Sequence, residues 1–279
     1  MAKQTSIITF SGKLGEHVHY RRGGKHFTKR ASKEPHNFSQ GSIAAQQAFA
    51  LGSTTGKHLK TAFQPILKEY KYEGIHNRLA EACKQIFRNG PVVQSESNRF
   101  QDYNIKMLLD FNFNKYAPID SLIRHNPIEL TFDPSGKVGI VINEHNPMES
   151  FSNYLKMHAI SIRFLFSTVD LDRPSFSYHH TQDIIIPLDE SLFIKKQGTV
   201  QLGSLANKLL ICCTQIRYYG SADHLAYSNN KKLVSATISA IDYIKDNIVV
   251  SYPSRSKEPV KRSIPEKEPS VDTTPINWE

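Results

Sequence analysis

Four short patterns in this sequence hold residue types that chemistry needs. His17-x-His19 puts two imidazoles on one side of an extended segment, and Gly52-Ser53-Thr54-Thr55-Gly56-Lys57-His58 has the outline of a phosphate loop. Cys83 and the pair Cys212-Cys213 supply thiols, and Asp170 and Asp172 supply neighbouring carboxylates. Each pattern fails on spacing or context. A phosphate loop needs four residues between its glycines and a Ser or Thr after the lysine. Here there are three, and His58 stands in the hydroxyl position, so a glycine-interrupted helix is expected. Two histidines need a third and fourth ligand to hold zinc, and no Cys, Asp or Glu nearby repeats the spacing. His179-His180 would point to opposite faces of an extended segment. The cysteines sit in apolar runs, where a thiol acts as a small hydrophobe. No Gly-x-Ser-x-Gly elbow is present, and the aspartates ahead of Pro174 read as a loop. The expectation is a protein that is not an enzyme, with no catalytic residue, no cofactor and no metal.

Binding chemistry is better represented. Residues 17–30 carry His17, His19, Tyr20, Arg21, Arg22, Lys25, His26, Lys29 and Arg30, nine candidates for contact with a partner or polyanion. Gly23-Gly24 between two β-prone runs predicts a two-residue hairpin. On its first strand Val18 and Tyr20 share one face with Glu16, while His17, His19 and Arg21 share the other. Cations interleaved with Tyr20, His26 and Phe27 suit phosphate contact with base stacking. The same pattern suits a hairpin that packs on a neighbouring subunit, with lysines guarding its edges. Both readings stay open.

Elements must position this hairpin. Ile43, Gln47, Leu51, Leu59 and Phe63 predict a helix over residues 39–64, ended by Pro65. Ile75, Leu79, Ala82, Cys83, Ile86 and Phe87 predict a second over 75–88. A hairpin and two amphipathic helices bury little alone and must pack on something. Residues 109–113, 128–132, 138–143, 159–168, 184–187, 199–202, 209–219 and 233–244 read as strands, with Asp133-Pro134-Ser135-Gly136 as a turn. Ile160, Ile162, Phe164 and Phe166 alternate with Ala159, Ser161, Arg163 and Leu165, the pattern of a half-buried strand. The expected fold is mainly β: an antiparallel β-sandwich, Ig-like or jelly-roll-like, preceded by a β-hairpin and two helices. The expected division is 1–100 for hairpin and helix pair, 101–250 for the sandwich, and 251–279 for a disordered tail rich in Pro, Lys and Glu. Trp278, the only tryptophan, could serve that tail as a docking tip.

At 279 residues and +9 formal charge, the chain is long enough for a full core and strongly basic. No apolar run is long enough to span a bilayer, so no membrane partner is expected. Three cysteines and no apolar leader at the start point to a reducing, cytoplasmic setting. The charge is uneven. Residues 1–100 hold 16 Lys and Arg against 6 Asp and Glu, whereas 101–250 hold 14 against 15. The partner surface is therefore expected in the first third.

The run Gly12-Lys13-Leu14-Gly15, Tyr20-Arg21, Gly24-Lys25, Lys29-Arg30, Gly56-Lys57-His58-Leu59-Lys60 and Phe111-Asn112-Phe113-Asn114 resembles an uncharacterised family of hypothetical Bacteroidota proteins, often present as several paralogues. The resemblance covers about residues 5–245 and implies the same order of hairpin, helix pair and sandwich. It implies no activity, cofactor or site residue. The family usually has a run of Arg and Glu in its first helix, where this chain has Gly41-Ser42-Ile43-Ala44-Ala45-Gln46-Gln47. The combined expectation is a structural protein for interaction or assembly, acting through a protein partner or self-association with the hairpin and helix pair as contact element. Its alternative is nucleic-acid binding through residues 17–30.

Overall fold

A computed structural model describes residues 2–4, 9–31, 38–69, 72–89, 99–153, 155–173, 175–220 and 227–252. Trp278 and nearly all of the expected tail lie outside the described residues. The chain divides into two compact units, Met1–Gln47 and Ala48–Glu279.

In the first unit, β1 (Ala2–Lys3), β2 (Gly12–Leu14), β3 (His17–Arg22) and β4 (Lys25–Arg30) form an antiparallel sheet in the order β1-β4-β3-β2. The expected hairpin is its centre. Gly23 and Gly24 both have positive φ, 57° and 77°. Such a two-residue turn matches the right-handed twist of the strands it joins. No described residue of this unit is buried.

The second unit begins within α1 (Gln40–Ala62), whose start is capped by the Ser39 hydroxyl accepting from Ser42 N at 3.2 Å. The helix breaks at Phe63, and Pro65 is the second residue of α2 (Gln64–Glu69), where its missing N–H does no harm. In α3 (Ile75–Asn89), Ile75, Leu79, Cys83 and Ile86 form one buried stripe. The glycines of the false phosphate loop explain how α1 and α3 meet. A Cβ on Gly52 would lie 2.7 Å from the Lys84 backbone, and one on Gly56 2.8 Å from Ala80 Cα. The two helices therefore touch backbone to backbone.

Strands β5 (Ile128–Phe132) and β6 (Lys137–Ile142), with β10 (Lys196–Gln201), make an outer sheet ordered β10-β6-β5. Before β7 the chain makes one short turn of helix, α4 (Pro147–Ser150). The central sheet joins β7 (Ala159–Asp170), β8 (Ser175–His180), β9 (Ile184–Pro187), β11 (Lys208–Tyr219), β12 (Val234–Lys245) and β13 (Ile248–Val249). Its order is β13-β12-β11-β7-β8, with β9 beside β8 on β7. One core lies between the sheets, with Val138, Ile140 and Ile142 against Ile160, Ile162, Phe164 and Phe166. The other lies between the central sheet and the helices, with Leu59, Phe63, Leu79 and Ile86 against Leu165, Leu209, Ile211 and Ile238. The fold is thus mainly β, a sandwich-like pair of antiparallel sheets with helices covering its second face.

Three expectations change in detail. The helix pair packs on the chain's own sheet. For that reason β7 is buried on both faces rather than one: even Ser161 and Ser167 are enclosed. Residues 109–113 are not a regular strand. They hang on β12 by Asp110 N to Ile238 O and Phe113 N to Ala236 O, while Arg78 of α3 grips the Asn112 and Phe113 carbonyls. Strand β8, Ser-Phe-Ser-Tyr-His-His, is exposed at every residue and buries no apolar face that a sequence pattern could show. Among the described residues no helix is long and apolar enough to cross a membrane.

One end of the central sheet is charged. Asp183 accepts from Arg163 Nε at 2.6 Å, from Arg217 Nη2 at 3.2 Å and from the Tyr227 hydroxyl, while Arg217 lies 3.6 Å from the Tyr227 ring centre. Burial pushes the Asp183 carboxyl up, but the bonds from Arg163 and Tyr227 and the Arg217 charge outweigh it and hold the carboxyl below 3.8. A carboxyl so lowered contributes stability above its unfolded value, and that contribution is lost as pH falls through the folded one.

Two outcomes follow for stability. Gly56→Ala gains helix propensity but forces α1 off α3, so urea denaturation should show a net loss of about 1–3 kcal/mol. Asp183→Asn leaves buried Arg217 without its anion and should lose about 3 kcal/mol at pH 7. Its stability should then change less between pH 5 and pH 3 than that of the unaltered chain.

Candidate functional site

Strand register decides which of the nine candidate side chains act together. Opposite residues of an antiparallel pair share a face. His17 opposes Arg30, His19 opposes Thr28, and Arg21 opposes His26. Tyr20 opposes Phe27, Val18 opposes Lys29, and Arg22 opposes Lys25. The sheet therefore separates the candidates. His17, His19, Arg21, His26 and Arg30 lie on one face; Tyr20, Arg22, Lys25 and Lys29 lie on the other. Trp278 is outside the described residues.

The histidine face is largely engaged with itself. His19 Nδ1 lies 3.1 Å from Gln4 Nε2 and 3.0 Å from Thr28 Oγ1. Arg30 is paired with Glu16 at 3.0 Å, and the His17 and His19 rings are 6.5 Å apart. No group of three or more His, Cys, Asp or Glu among the described residues is placed to hold a metal ion.

The opposite face has a different composition. Tyr20 and Phe27 stack with centroids 5.8 Å apart and planes 26° from parallel. The outer strands add two cations to it, because Lys13 pairs with Val18 and Lys3 with Phe27. Lys3, Lys13, Arg22, Lys25 and Lys29 thus surround one aromatic pair, and none of the five makes an ion pair among the described residues. Four strands at about 4.8 Å spacing make the platform roughly 14 Å wide. Lys3 and Lys13 are missing from the sequence-based set. The Gly-Gly turn already implied Tyr20 opposite Phe27, but nothing local showed which strands would flank the hairpin.

The three thiols are enclosed. Burial pushes the Cys83 and Cys212 thiols up to about 12 and the Cys213 thiol well above its ordinary value, so all three are protonated at neutral pH. Asp170 caps the β7–β8 turn by accepting from the Asp172 and Arg173 amides, each at 2.9 Å. Asp172 pairs with Arg99 across the surface at 2.9 Å. Those carboxylates hold loops. No protein-family model, no curated protein and no solved structure matches this chain.

Proposed function

We propose that this chain is a non-enzymatic binding protein that holds single-stranded nucleic acid on the Tyr20–Phe27 face of its N-terminal sheet. The observation that supports this reading is the stacked aromatic pair amid five cations. Lysine and arginine neutralise phosphates without regard to sequence, and aromatic rings, here half-buried, stack on bases that are unpaired. A duplex keeps its bases stacked inside, so this combination suits a single strand. The larger unit then serves as scaffold.

A second reading, self-association or a protein partner, is favoured by one observation. The four-stranded sheet has no buried residue, and a sheet gains its stability by burying a face. The same experiments separate the two readings.

Fluorescence anisotropy with labelled twelve-residue oligo-dT and oligo-U at 50 mM salt should show binding. Contact with five phosphates gives a slope of about −3.5 in log K against log salt. Lys25→Glu with Lys29→Glu should weaken it at least tenfold, and Arg21→Glu on the opposite face by less than threefold. No binding at low salt, or equal losses from the two faces, would overturn the proposal. Sedimentation showing a stable dimer that the Lys25→Glu, Lys29→Glu variant loses would support the second reading instead.

A further inference from the structure

The second unit holds a cleft of about 320 Å³ between α2 and strands β7, β8 and β11. Its floor is Ile66 and Leu165, both buried, beside Gln215, which is 1% exposed. Gln215 Nε2 reaches the Tyr72 hydroxyl at 3.4 Å, but its Oε1 has no hydrogen-bond partner among the described residues. A buried acceptor without a donor costs about 1–3 kcal/mol, so a fold retains one where something else completes it. The walls around it are cationic and aromatic. Arg163 enters from β7, held by its 2.6 Å bond to Asp183. Lys68 of α2 and Tyr178 and His180 of β8 form an exposed rim. Register puts these groups on one face, since His180 opposes Leu165 and Gln215 opposes Arg163.

The geometry points to a binding site for a small planar organic phosphate of mononucleotide size. The phosphate would meet Lys68, His180 and Arg163, which suit an anion of high charge. The ring would lie between Tyr178 and the Leu165–Ile66 floor, and an exocyclic amino N–H on the ring would donate to Gln215 Oε1. The volume lies at the lower end of ordinary small-ligand sites. This inference does not rest on the proposed role of the N-terminal sheet, which involves other residues.

Isothermal titration calorimetry of the full chain with AMP tests it, with adenosine and inorganic phosphate as partial ligands. AMP should bind with a sub-millimolar Kd, and each partial ligand at least tenfold more weakly. Lys68→Glu, an exposed change that leaves the core alone, should weaken AMP at least fivefold. Gln215→Met should do the same while the chain still melts cooperatively. Lys25→Glu with Lys29→Glu should bind AMP like the unaltered chain, which separates this site from the N-terminal face. The inference is overturned if AMP does not bind at millimolar concentration. It is also overturned if phosphate alone binds as well, or if Lys68→Glu has no effect.

Discussion

Three antiparallel strands of twelve residues each, β7, β11 and β12, are paired along nearly their whole lengths, and the second unit depends on that pairing. Their backbone groups satisfy one another, so apolar side chains can be enclosed above and below without leaving polar backbone unpaired. One layer of apolar side chains meets the outer sheet and the other meets the helices. Ser167 Oγ donates to the Ala62 carbonyl at 2.8 Å and ties the end of α1 to the sheet. Arg78 ties α3 to the segment that extends β12.

Pairing that is buried on both sides has a consequence at its polar end. Past Leu165 and Cys213 the helix-facing rows change to Arg163, Gln215, Ser161 and Arg217. Charges placed there need partners, and Asp183 meets both arginines. The cleft under α2 begins where the apolar cover stops, so its position follows from the length of the helical layer. The first unit obeys a different rule. Its sheet encloses nothing, and strand register together with the Gly23-Gly24 turn is what assigns each side chain to a face.

Much of this was readable in the residues. Runs rich in β-branched and aromatic residues marked β5, β6, β7, β9, β11 and β12, and the 75–88 stripe marked α3, because such residues must leave water. Gly-Gly marked the central hairpin. Strand β8 escaped because its exposed Ser-Phe-Ser-Tyr-His-His residues bury nothing. The segment 109–113 was misleading because its aromatic residues pack on helices and β12 without forming a regular ladder. Among the candidate contact residues, type and approximate location were legible from charge and aromatic content alone.

By itself the sequence determined most of the element types, the hairpin turn, the absence of a phosphate loop and the concentration of positive charge in the first third. These follow from local periodicity, turn chemistry and composition, which need no knowledge of distant neighbours. Tertiary structure alone decided that the helix pair closes the second face of the central sheet and that Gly52 and Gly56 bring two backbones into contact. It also decided that Tyr20 and Phe27 share a face with Lys3 and Lys13 while the histidines occupy the other, and that Gln215 lies beside Arg163 and Lys68. Each of these is a pairing between residues far apart in the chain. Such pairings are set by which strands hydrogen-bond and which faces are covered, and neither leaves a mark on the short-range pattern.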